Sequence, residues 1–232
     1  MRVTKAIRMM SSLLTLSLIS AGCAGRVDLD AQNAGNLPVR PSALDEMSTQ
    51  HPPSLVIGSR FIYRDTNVSN GEISKVAMTV KKMKKFETKP AYWIEVSREA
   101  ENYFDIYDMN LNWIGSLVDG RELESAEPCI RTFDWPLRVG KTWKSDCTVK
   151  EYSGGTHLYH STTGVNIQRY EEVRVPAGTF GALRIQAGEE TFWYAPSLGW
   201  VVREQIGPQD RGGWLLELAA YHIPTKIHPD KS

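Results

Sequence analysis

Cys129 and Cys147 are the two cysteines that follow Cys23, with seventeen residues between them. In an oxidising compartment that spacing suits a structural disulfide, which contributes on the order of 3 kcal/mol by restricting the unfolded chain. The alternative is a pair of buried free thiols, since the Cys-x-x-Cys spacing of a redox or metal pair is absent. His157 and His160 are the other candidate metal pair, but on a strand residues three apart point to opposite faces, so a shared ion is not expected. Glu171-Glu172 and Glu189-Glu190 are adjacent, which splits each pair between faces and suits solvated edges better than an acid and base. No G-x-S-x-G nucleophile elbow occurs, and no set of nucleophile, base and orienting group stands out. The expectation is a protein with no catalytic residues, no metal and no cofactor.

Lys81, Lys82, Lys84 and Lys85 form the single charge run. They follow an alternating segment, where a solvated loop or lysines blunting an exposed strand edge are the bland readings. The functional rival is contact with an anionic surface of lipid headgroups or lipopolysaccharide. Over its 232 residues the chain balances 27 basic against 27 acidic side chains, which gives no global attraction for nucleic acid.

Residues 1–22 are an export signal: a basic start with Arg2, Lys5 and Arg8, then a short apolar run ending at Ala21-Gly22-Cys23. That run is too short to cross a bilayer as a stable helix. Removing it leaves a charge of −3. Small residues before Cys23 resemble the bacterial lipobox, although Ser20 stands where Leu is usual. The resemblance implies lipidation of Cys23, and Ala24 after it implies sorting to the outer membrane, anchored on its periplasmic face; the cell surface or a soluble periplasmic form are the alternatives. Residues 24–54 lack apolar periodicity and carry four prolines, so residues 23–54 read as a lipidated N-terminus and disordered tether, about 30 Å in reach.

From Leu55 the pattern changes to short aromatic and β-branched runs punctuated by Asn70-Gly71, Asp119-Gly120, Gly154-Gly155, Ala177-Gly178 and Gly212-Gly213. Asn70-Gly71 predicts a two-residue type I′ hairpin. The fold expected for residues 55–222 is a single all-β domain: an antiparallel meander forming a curved sheet, sandwich or half-barrel, followed by a polar tail at 223–232. Two correspondences suggest two β-units of about 80 residues, spanning 55–120 and 135–205. Tyr107-x-x-x-Leu111-x-Trp113 aligns with Tyr194-x-x-x-Leu198-x-Trp200, and Gly58-x-x-Phe61 aligns with Gly140-x-x-Trp143.

Pro136-Leu137 with Gly140 and Trp143, then Val175-Pro176-Ala177-Gly178-Thr179-Phe180, then Trp193-Tyr194-Ala195-Pro196 with Gly199 and Val201, form a distinctive succession. It resembles a group of exported bacterial β-rich lipoproteins of unknown function that share PL-x-x-G-x-x-W, VPAGTF and WYAP-x-x-G-x-V. The resemblance implies an antiparallel β fold in the cell envelope and brings no catalytic residues. Physically, Pro176, Gly178, Pro196 and Gly199 read as turn formers, with Phe180, Trp193 and Tyr194 in the flanking strands. The function expected is a non-catalytic envelope lipoprotein, monomeric in isolation, binding a protein or envelope component. The alternative is a carrier of an acyl chain resembling the half-barrel lipoproteins of the Lol pathway; an envelope enzyme ranks third.

Overall fold

The computed structural model describes residues 49–99, 101–152, 154–207 and 213–225. The signal peptide, Cys23, the tether up to residue 48 and the end of the tail lie outside the described residues. Twelve strands follow one another: β1 (Arg60–Asn67), β2 (Ile73–Phe86), β3 (Lys89–Arg98), β4 (Glu101–Asp108), β5 (Trp113–Val118) and β6 (Arg121–Ile130). The second half comprises β7 (Thr142–Glu151), β8 (His157–Val175), β9 (Gly178–Ala187), β10 (Glu190–Ala195), β11 (Trp200–Ile206) and β12 (Trp214–His222).

Each strand pairs antiparallel with its neighbours in sequence, and β12 pairs with β1, so the meander closes into a barrel. The all-β expectation holds, while the closure is new: neither an open sheet nor a sandwich forms. Closure leaves no free edge at the seam where Arg60 faces His222 and Asn67 faces Trp214. Alternation decides which side chains turn inward. In β1 these are Phe61, Tyr63 and Asp65, and in β7 Trp143, Ser145, Cys147 and Val149. The segments at 93–96, 103–107, 191–194 and 214–221 are strands, as their composition predicts.

The two ends of the barrel differ. At one end, the β6 to β7 connection and residues 49–58 lie across the opening. Thr49 bridges Leu137, the Leu55 N–H donates to Tyr92 Oη at 3.2 Å, and Asn112 exchanges hydrogen bonds with the Phe133 backbone. Phe61, Tyr107, Phe133, Trp135, Tyr194 and Trp200 stack through edge and face contacts of 5.3 to 5.9 Å at this end. Each large apolar side chain buried this way contributes roughly 1.5–3 kcal/mol. The opposite end carries the β1 to β2, β3 to β4, β5 to β6, β7 to β8 and β9 to β10 turns.

One local arrangement recurs, around Gly58 and around Gly140. The Gly58 N–H donates to Val80 O at 2.7 Å and the Val80 N–H to Ser59 O at 2.9 Å; the Gly140 N–H donates to Ile167 O at 2.8 Å and the Ile167 N–H to Lys141 O at 2.9 Å. A bulge follows Val80 in β2, and another follows Ile167 in β8. Both glycines take a positive φ, +89° and +83°. Beyond these bulges the hairpins β2 to β3 and β8 to β9 run past the starts of β1 and β7, the first with Phe86 packed on Ile114, Gly115 and Leu117 of the wall. The tip of the second meets β12, where the Ala177 N–H donates to Leu218 O at 2.9 Å and Phe180 packs edge-on to Tyr221 at 6.1 Å.

Three expectations need correction. Cys129 and Cys147 are free thiols. The β6 to β7 ladder ends where Glu127 faces Thr148, so both cysteines lie beyond its last pair. The thiols join different clusters, Cys129 beside Phe86 and Ile106 and Cys147 beside Ala126 and Val149. Of the two readings of Lys81 to Lys85 the loop is wrong and the exposed strand edge is right: they continue β2 past the point where β1 begins, which leaves one edge without a β1 partner. Finally, the turn at Asn70-Gly71 spans 68–72 rather than two residues, while Asp119-Gly120, both at positive φ between paired Val118 and Arg121, is the two-residue hairpin.

Candidate functional site

An alternating strand in a filled barrel should place apolar side chains inward throughout, yet several inward positions toward the open end are charged. Asp65 shares the parity of Phe61 and Tyr63, Arg98 that of Ile94 and Val96, Asp105 that of Tyr103 and Tyr107, and Glu204 that of Trp200 and Val202. Strand order brings them together, because β1, the neighbours β3 and β4, and the neighbours β10 and β11 are separate parts of the wall whose inward side chains meet across the interior.

Arg98 Nη2 lies 2.7 Å from Asp65 Oδ2, and Asp65 is fully buried. Burial raises the Asp65 carboxyl above its ordinary range, against the opposing pull of Arg98 and Ser74. Asp105 is buried and accepts hydrogen bonds from Ser116 Oγ and, at 3.3 Å, from Trp113 Nε1. Burial pushes it up to about 6 despite those donors. Glu190, at the start of β10, rises to about 7 through burial. Glu204 rises to about 8 through burial first and then repulsion by Glu190, Asp105 and Asp65, with Arg98 opposing; its Oε1 is buried without a hydrogen-bond donor. Tyr63, Tyr103 and Tyr107 line the same space, their hydroxyls held well above the ordinary range by burial first and by neighbouring carboxylates.

Chemically this is an inward cluster of carboxyl groups raised by burial, tyrosine hydroxyls and one guanidinium. It can donate and accept hydrogen bonds to a polar guest and can attract a cation. Tyr103, Glu190, Glu204 and Trp214 all face inward yet keep partial exposure. Among the described residues no histidine joins the cluster: His160 pairs with Asp146 at 2.8 Å on the exposed part of β8, and His157 is exposed there too. Among the described residues, no group of three His, Cys, Asp or Glu side chains is arranged to hold a metal ion.

The residues singled out from sequence fall elsewhere. Pro176 forms the β8 to β9 turn beside Gly178, whose φ is +134°; Gly199 closes the β10 to β11 turn after Pro196 with φ +69°, its N–H donating to Ala195 O at 2.9 Å. Tyr194 is buried against Phe133 and Trp135. Trp193 packs between the guanidinium groups of Arg184 and Arg203 and donates from Nε1 to Glu171 at 2.7 Å. These positions build the fold. Glu171 is therefore a bonded wall residue and Glu190 faces the interior, so the adjacent glutamates split as their spacing suggests, but one of each pair is not a solvated edge.

No family model matches the chain, and no curated protein matches it. Solved structures with a similar course include an exported-protein candidate with a YmcC-like fold from Bacteroides fragilis, 11% identical, covering 76% of this chain and 100% of that one with a TM-score of 0.38. A lipoprotein candidate from Parabacteroides distasonis is 9% identical, covering 75% and 99% with a TM-score of 0.40. The hypothetical lipoprotein YmcC of Escherichia coli is 10% identical, covering 74% and 87% with a TM-score of 0.41. At such scores these likenesses assign no residue a role.

Proposed function

We propose that this chain is a non-catalytic, lipid-anchored module of the bacterial envelope, held by Cys23 on the periplasmic face of the outer membrane, that binds a polar envelope component or a protein group at its open mouth. The observation that carries the reading is the division of the barrel interior. One end is filled by its own aromatic side chains, and the other is lined by Asp65, Arg98, Tyr103, Asp105, Glu190 and Glu204. Keeping charges inside a barrel costs stability unless something is gained from them, and a guest bearing hydroxyl or cationic groups supplies that gain. An acyl chain would find no matching surface there, which counts against a lipid carrier.

The test is a thermal-shift panel on the purified protein with soluble cell-wall and polysaccharide fragments, cationic peptides and palmitate. At least one polar class should raise Tm, and the combined Asp105→Asn and Glu204→Gln variant should lose that rise. A rise with palmitate alone would favour the acyl-chain carrier. For the anchor, Cys23→Ser should abolish acyl labelling and release the protein from membranes.

A further inference from the structure

The turns at the open end carry Glu72, Glu99, Glu101, Asp119 and Glu189, with Arg121 the cation among those described. The closed end has the opposite sign. Lys82, Lys84, Lys85 and Lys89 are exposed on the overhanging β2 to β3 hairpin, Arg60 is exposed at the start of β1, and Arg138 is exposed in the connection that closes the barrel. Glu87 is the exposed acid of that hairpin tip, and Lys81 is neutralised by Glu95 at 2.8 Å. The barrel is thus charged unevenly along its axis although the whole chain is neutral.

Exposed apolar side chains occur toward both ends, Val68, Ile73 and Leu158 beside the acidic turns and four at the basic end. Ile57 is 56% exposed, Met83 56%, Tyr221 46% and Ile223 40%. They belong to one sector of the rim. Gly58 is hydrogen-bonded to Val80, three residues before Met83; Phe61 faces Tyr221 in the ladder; and Pro224 lies against Gly58. Lys82 Nζ sits 4.6 Å from the centre of the Trp93 ring and 5.5 Å from that of Phe104. Lysines on an unpaired edge are accounted for by protection against edge-to-edge association. That does not account for apolar side chains on the same rim, or for the opposite sign at the other end. Lysines beside aromatic and apolar side chains suit the boundary between anionic headgroups and acyl chains, where each lysine contributes about 1 kcal/mol. The polypeptide also enters the barrel at this end, through residues 49–59.

We propose that the closed rim formed by Lys82, Lys84, Lys85, Arg60, Ile57 and Tyr221 docks on an anionic phospholipid bilayer, standing the barrel with its acid-lined mouth facing away from the membrane. The contact is separate from the Cys23 anchor: it sets orientation, whereas the lipid sets residence.

Hydrogen exchange on the full acylated protein, reconstituted in phosphatidylethanolamine vesicles with phosphatidylglycerol and in phosphatidylcholine vesicles, tests it. Flotation with both vesicle types reports the anchor alone, so its failure is distinguishable from failure of the docking. Amides of residues 81–89 and 221–223 should exchange at least about tenfold more slowly on the anionic vesicles, with the difference removed by high salt and by combined Lys82→Gln, Lys84→Gln and Lys85→Gln substitution. Equal exchange on both vesicles, protection that the lysine variant retains, or protection of the acidic turns instead would overturn the proposal.

Discussion

Arg98 of β3 reaches past β2 to place Nη2 2.7 Å from the Oδ2 of Asp65 on β1, pairing two inward charges from strands that are not neighbours. Losing one partner strands the other in the interior, and that is more costly than losing both. Arg98→Met should lower stability by about 1–3 kcal/mol at neutral pH, and by less as pH falls, because burial already raises the Asp65 carboxyl. Adding Asp65→Asn should recover part of the loss. Urea denaturation of the double-mutant cycle checks this; a double-variant loss equal to the sum of the two single losses would show that the pair is not coupled.

The inward cluster makes the protein most stable under mildly acidic conditions. Asp105, Glu190 and Glu204 sit at about 6, 7 and 8, above their ordinary values of 3.8, 4.5 and 4.5, so between those limits the folded chain holds more protons than the unfolded one. Stability must then fall as pH rises. Glu204→Gln should flatten the fall and stabilise the protein at pH 8 by roughly 1–3 kcal/mol, with little effect at pH 4.5. Chemical denaturation at stepped pH from 4.5 to 8.5 reads both effects. A stability that rises across that window would contradict the raised carboxyl groups.

A Cβ on Gly181 would overlap Tyr170 Oη and come within 2.6 Å of Cζ, so β9 can pass that ring closely because residue 181 has no side chain. Gly181→Ala should cost about 1–3 kcal/mol by overpacking, and the cost should shrink in a Tyr170→Leu background. Calorimetric Tm values for the four proteins decide it, and an unchanged Tm for Gly181→Ala would refute the contact.

Burial pushes the Cys129 thiol up to about 11 and raises Cys147 as well, which keeps both largely protonated and slow to react at neutral pH. Native protein should therefore label slowly with Ellman's reagent, whereas denaturant should expose both thiols at once. Linked cysteine peptides in a non-reducing digest of freshly isolated protein would contradict the separation of the two thiols.

Local pattern carried much of the fold. Alternation and turn residues marked the strands, and the motifs around Gly58 and Gly140 fall on equivalent backbone hydrogen bonds. Barrel closure was not legible, because the pairing of Arg60 with His222 joins residues at opposite ends of the domain and leaves no local trace. The inward cluster was partly legible. Asp65, Arg98, Asp105 and Glu204 each occupy the apolar parity of their own strand, a signal that a search for adjacent carboxylates passes over. Their convergence depends on strand order, and so does the fate of Glu190, whose neighbour Glu189 points the other way. The cysteines failed for the opposite reason: redox compartment and spacing favoured pairing, and the fold places the thiols in different clusters beyond the last pair of the β6 to β7 ladder.

The central claim is that ligand is taken at the mouth and not along the wall. Site-specific photo-crosslinking in intact cells tests it most directly, with benzoylphenylalanine replacing Tyr103 or Trp214 at the mouth and Leu158 on the exposed wall. Tyr103 and Trp214 should give a discrete adduct that disappears when Asp105→Asn and Glu204→Gln are added, while Leu158 gives none. An adduct from Leu158 alone, or mouth adducts indifferent to the two carboxylates, would contradict the account.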